Sequence, residues 1–90
     1  MIKVFVILVY DVKETRVAKI LKIAREYLHW VQNSVLEGEL SEANYKILKS
    51  KITKKINQEE DSVIFYSFRT QKYTERELVG IEKGGKKLFL

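Results

Sequence analysis

Asp11 is the residue on which chemistry can be built. It closes the opening run Ile2-Lys3-Val4-Phe5-Val6-Ile7-Leu8-Val9-Tyr10-Asp11, which is β-branched and aromatic and too short to span a membrane. An acid at the end of a buried strand stands on a rigid support where the chain leaves the core. Most such acids are turn or helix-cap residues. In a two-fold dimer, however, two copies of one position near the axis can approach each other. Two carboxylates there would bind a hard divalent cation such as Mg²⁺, which takes oxygen ligands and keeps several waters. Such an ion polarises a phosphodiester and activates water, while nearby cations hold the phosphate backbone. One acid per chain then suffices, provided that the dimer supplies the second.

Other chemistries find little support. The single histidine, His29, lies beside Trp30 at a helix-to-strand junction and has no second histidine with which to hold a metal. Gly84-Gly85 lacks the following Lys-Ser/Thr and helix start of a phosphate loop. No Ser-His-acid pattern stands out. The absence of cysteine excludes disulfides and thiolate zinc sites. Phe5, Phe65 and Phe68 could be read as a base-stacking platform on a sheet. Their Val and Ile neighbours suggest burial instead, and the glycine-aromatic signature of such a module is missing.

Ninety residues make one domain, 1–90, large enough for a core and small enough to gain from a partner. With 46% hydrophobic and 32% charged residues the chain reads as globular. It has no long apolar span and no basic start with a cleavage site, so a cytoplasmic protein away from the membrane is expected. The net charge of +5 favours a polyanionic partner, because cationic side chains neutralise phosphates and release counterions.

These residues need elements to position them. After Asp11 a short polar stretch leads to Glu14 or Thr15, either able to start a helix. Val17, Ile20, Leu21, Ala24 and Leu28 then recur at helical spacing. Arg16 and Lys19 fall on the turns nearest the loop, as candidate phosphate contacts. Residues 29–40 carry strand character with a turn or bulge at Asn33-Ser34 or Gly38, giving two short strands or one kinked strand. Ser41 is a credible N-cap for a second helix in which Tyr45, Leu48, Ile52 and Ile56 repeat at three and four. Val63 to Arg69 is a second strand loaded on both faces. Leu78, Val79 and Ile81 suggest a short element around Gly80. Gly84-Gly85 offers a turn before a closing strand at 86–90. Residues 70–90 read as an extension that contacts a dimer partner.

The order strand, helix, strand, strand, helix, strand, with a C-terminal strand added, is that of an α+β ferredoxin-like sandwich. Its two helices cover one face of an antiparallel sheet. The first strand, however, is apolar on both sides: Ile2, Val4, Val6 and Leu8 point one way and Phe5, Ile7 and Val9 the other. The second face needs a cover, and another copy of the same sheet supplies one through a two-fold interface. A homodimer is expected.

Val9-Tyr10-Asp11-Val12, the segment Val31-Gln32-Asn33-Ser34-Val35-Leu36-Glu37-Gly38-Glu39-Leu40, and Glu60-Asp61-Ser62-Val63 carry a resemblance over nearly the whole chain. The sequence resembles the small CRISPR-associated protein of the spacer-acquisition machinery, the CRISPR-associated endonuclease family. That resemblance implies a ferredoxin-like homodimer with facing sheets and a Mg²⁺-dependent nuclease acting on single-stranded RNA or on DNA. Asp11 corresponds to the family acid, expected to share the metal with its symmetry mate, and Tyr10 to an accessory beside it. The implied broader role is to bridge two dimers of the CRISPR integrase and hold the double-stranded DNA that becomes a spacer. Trp30 and Leu36 depart from the pattern, standing where many relatives carry a basic residue and an aromatic. The other reading is a stand-alone, toxin-type metal-dependent ribonuclease, whose family shares this architecture and the acid.

Overall fold

The apolar opening run folds as β1 (Lys3–Asp11), the central strand of a five-stranded antiparallel sheet. The structure is a computed structural model that describes residues 3–70 and 73–82. Around β1 come α1 (Glu14–Arg25), β2 (His29–Gln32), β3 (Val35–Ser41), α2 (Glu42–Lys55), β4 (Ser62–Thr70) and β5 (Tyr73–Gly80). The strand order β2-β3-β1-β4-β5 is the ferredoxin-like arrangement with one strand added outside β4. The closing strand expected at 86–90 and its glycine turn lie outside the described residues. Among the described residues no helix is long and apolar enough to cross a membrane.

Both helices pack on one face. Val4, Val6 and Leu8 of β1, Leu36 and Leu40 of β3, and Val63 and Phe65 of β4 form the core with Ile20, Ala24, Tyr45, Leu48 and Ile52. Alternation along a strand sends every second side chain to this face. All four residues expected to seat α2 (Tyr45, Leu48, Ile52 and Ile56) are buried, and the Tyr45 ring meets Phe65 edge-on at 5.9 Å. Ser41 caps α2 as expected, its hydroxyl accepting the Asn44 N–H at 3.1 Å. Arg69 of β4 then ties the first turn of α2 to β5, donating to Glu42 at 2.6 Å and to Glu75 at 2.9 Å.

Residues 29–40 resolve into two strands because the chain reverses at Asn33, whose φ of 42° lies in the left-handed region that asparagine tolerates. Gly38 stays in β3. A Cβ on it would meet Leu28 Cδ2 at 3.3 Å, so a glycine lets the α1–β2 connection lie close over the sheet. α1 starts at Glu14, one of the two residues expected to open it. Its N-cap is Lys13, which makes no side-chain capping bond.

Candidate functional site

Asp11 is the last residue of β1, exposed, and paired across the ladder with Ser62 of β4. It shares parity with Phe5, Ile7 and Val9, so it ends the row on the face that the helices leave uncovered. Tyr10 takes the opposite face. Its N–H donates to the Ser34 carbonyl at 3.0 Å and its hydroxyl to the Asn33 carbonyl at 3.4 Å. Tyr10 therefore fastens the end of β1 to the β2–β3 turn, while Asp11 projects to the other side. Within one chain the two side chains do not converge.

The uncovered face has an apolar centre. Phe5 is 38% exposed and its ring lies 6.2 Å from that of Phe68, with Ile7, Val9 and Tyr66 only partly buried beside them. Phe65, the third aromatic of the possible stacking platform, is wholly buried under the helices. Strand register sets Glu39 beside Phe5, and aligns Glu37, Ile7, Tyr66 and Arg76 in one row. The apolar centre is thus flanked by acids on β3 and a cation on β5. A surface with opposite charges on its two sides can pair with its own copy, which is the self-complementarity a two-fold contact requires.

Behind Asp11 lies a second acid, which the sequence singles out only as part of the Glu60-Asp61-Ser62-Val63 segment and without a role. Asp61 is 0% exposed. One carboxylate oxygen accepts the Lys13 N–H at 2.9 Å and an Arg16 Nη2–H at 3.0 Å. The other accepts Arg16 Nε–H at 2.6 Å and the Asn57 N–H at 2.8 Å. The Arg16 guanidinium, helped by these two backbone N–H groups, holds the Asp61 carboxyl well below the usual carboxylate range against the opposing effect of burial. Asp61 also supplies what Lys13 lacks, a carboxylate at the N-terminus of α1, where the helix dipole favours negative charge.

Arg16 is accordingly engaged by protein. Besides Asp61 it donates to Glu60 at 2.8 Å, and these two acids together push its pKa up. Lys19, the other expected phosphate contact, lies exposed on α1. Lys13 Nζ approaches Glu60 at 3.8 Å. The role of Asp61 is not marked in the sequence, since it depends on Lys13, Arg16 and Asn57.

Mg²⁺ can be tested against these groups. Among the described residues no cluster of three or more His, Cys, Asp or Glu side chains could hold a metal. Asp61 offers no help within the chain, because two N–H groups and a guanidinium already occupy its oxygens. Asp11 is an exposed hard oxygen donor, and Mg²⁺ is commonly held by only one or two carboxylates with waters. Among the described residues one chain supplies this single exposed carboxylate at the end of β1 and no metal cluster, so a Mg²⁺ site on Asp11 would need a second carboxylate from another copy.

Residues 4–76 match the family described as CRISPR associated protein Cas2. A protein of Dictyoglomus turgidum named CRISPR-associated endoribonuclease Cas2 is 56% identical over 86 residues, covering 96% of this chain and 99% of that one. A Thermotoga maritima protein of the same name is 60% identical over 80 residues, covering 89% and 92%. A solved structure described as Cas2 superposes with a TM-score of 0.73 at 39% identity, covering 91% of this chain and 92% of that one.

Proposed function

Because this chain belongs to the CRISPR associated Cas2 family, we propose that it acts in CRISPR spacer acquisition as a homodimer that holds duplex DNA between integrase subunits and carries a Mg²⁺-dependent endonuclease activity. One observation carries the reading. Asp11 ends the same strand row that places Phe5, Ile7 and Val9 on the uncovered face, so a two-fold pairing of that face with its axis passing near Asp11 brings the two acids together. Burial of the Phe5–Phe68 patch drives the association, and the acids on β3 and Arg76 on β5 set its orientation.

In this dimer the two Asp11 carboxylates would hold the ion. Mg²⁺, when bound, supplies Lewis-acid activation of the phosphodiester and of water. Tyr10 keeps the end of β1 fixed to the β2–β3 turn, and the Asp61–Arg16 pair fixes the loop that follows. Lys19 and the other exposed lysines neutralise phosphates along the bound strand. The relatives in Dictyoglomus turgidum and Thermotoga maritima are named endoribonucleases, which makes RNA the first substrate to try.

The test combines cleavage, binding and assembly. Labelled RNA and duplex DNA are incubated with wild type and Asp11→Asn over a Mg²⁺ series, and sedimentation reports the oligomeric state. Asp11→Asn is expected to abolish cutting while the dimer and duplex binding persist. Full cutting by Asp11→Asn removes the metal role, and a wild-type monomer removes the paired acids. Recovery of the integrase with the protein and duplex supports the bridging role. Failure of that recovery alongside Asp11-dependent RNA cutting favours the stand-alone ribonuclease.

A further inference from the structure

Trp30 is the sole tryptophan of the chain and is 55% exposed, more than any other exposed large apolar side chain among the described residues. An indole usually buries most of its large apolar area. Here its one polar atom is already used. Nε1–H donates to the Asn33 carbonyl at 2.9 Å, across the turn of its own hairpin. The ring is thereby tied to the backbone, and what it presents to water is apolar π surface.

Its position is equally specific. The Tyr10 hydroxyl donates to the same Asn33 carbonyl, so the two aromatic side chains converge on one oxygen. Trp30 pairs with Leu36, which is buried under the helices, so the ring belongs to the helix side of the sheet edge. Stacking of two copies through the Phe5–Phe68 face therefore leaves it uncovered. The turn that holds it accepts the Tyr10 N–H, which places Trp30 at the same end of the sheet as Asp11.

From this geometry we infer that Trp30 is a stacking site for an unpaired nucleobase of a bound strand. The inference rests on the proposal that the chain binds nucleic acid. A ring fixed by a hydrogen bond loses little freedom on stacking, and every base offers a π face to it. The net charge of +5 draws a polyanion to the surface in preference to an apolar peptide. Bases inside a blunt duplex are already stacked on their neighbours, so the site selects single strands and splayed ends.

Because Trp30 is the only tryptophan, its emission reports the contact directly. Three dye-labelled probes are titrated in EDTA, which prevents cutting: a short single-stranded RNA, a duplex with an unpaired overhang, and the same duplex blunt. Dye anisotropy reports binding of any kind, and tryptophan emission reports stacking. Emission is expected to be quenched by the single strand and the overhang and unchanged by the blunt duplex. Trp30→Ala is expected to weaken single-strand binding by about tenfold or more, the usual worth of one stacked base. Trp30→Phe, which keeps a π face, is expected to restore most of it, and the wild-type emission change decides the matter if Trp30→Ala does not fold. Anisotropy showing binding with unchanged emission overturns the stacking site and leaves the nucleic-acid reading standing. So does single-strand binding by Trp30→Phe and Trp30→Ala at wild-type strength with a base analogue that cannot stack binding equally well. Quenching only by an added protein assigns the ring to a protein partner and overturns the inference. Failure of every probe to bind removes the nucleic-acid reading itself.

Discussion

The Asp61 carboxylate, buried at the threshold of β4, grips the Arg16 guanidinium through both oxygens at 2.6 and 3.0 Å. The pair joins residues 45 apart in sequence and takes in the backbone N–H groups of Lys13 and Asn57. One side chain thus closes the N-terminus of α1, the loop after α2 and the start of β4. The loop so held begins immediately after Asp11, which makes this junction the scaffold of the candidate metal ligand.

Asp61→Ala is expected to destabilise the fold by about 3 kcal/mol, the usual cost of removing one member of a buried, hydrogen-bonded charge pair. Glu60→Ala removes an acid whose side chain is half exposed, and is expected to cost much less, since water screens such pairs. Urea unfolding of the two variants checks the contrast. Equal losses would show that burial of Asp61 contributes nothing special.

Acid should expose the same junction. The folded pKa of Asp61 lies below its ordinary value of 3.8, chiefly through the Arg16 hydrogen bonds. A depressed carboxylate stabilises the fold fully above its unfolded pKa, and that contribution is lost as pH falls below it toward the folded value. The melting temperature should therefore hold from neutrality down to about pH 5 and drop below about pH 4. Asp61→Asn should start lower and fall less steeply over the acid range. A wild-type protein as stable at pH 3 as at pH 7 would contradict the assignment.

Gly80 should tolerate no side chain. Its φ of 99° lies where L-residues are strained, and a Cβ there would overlap the Asp61 carbonyl oxygen. That oxygen accepts the Ile81 N–H at 3.0 Å, so the end of β5 is pinned against β4. Gly80→Ala is expected to lower the melting temperature by about 10 °C, from about 2 kcal/mol of strain and clash in a domain of this size. Gly38→Ala, where the nearest neighbour is the movable tip of Leu28, should cost less. Calorimetry of the two variants ranks them, and the reverse order would refute the argument.

Much of the fold was legible in residue order. Ser41 announced its cap because the acceptor and the Asn44 N–H it serves are three residues apart. The buried faces of α2 and β1 followed from periods of 3.6 and 2, which the backbone imposes locally. The double load on β1 identified an uncovered face, and Asp11 stands exposed at the end of that row. The start of α1 at Glu14 was legible, but the acid that serves its N-terminus was not, because Asp61 lies 48 residues downstream of Lys13.

The sequence by itself determined the strands and helices up to β4, which of their faces are apolar, and that an acid follows the central strand, since each depends on neighbours within a few residues. It offered only a short element around Gly80 where β5 runs from Tyr73 to Gly80. Only the tertiary structure decided what the polar residues do. It separated Tyr10 from Asp11 across the sheet, committed Arg16 to Asp61, and left the Trp30 ring exposed with its N–H satisfied. Hydrogen bonds between distant segments form only after strand register has brought their atoms within about 3 Å, a distance that composition and spacing do not encode.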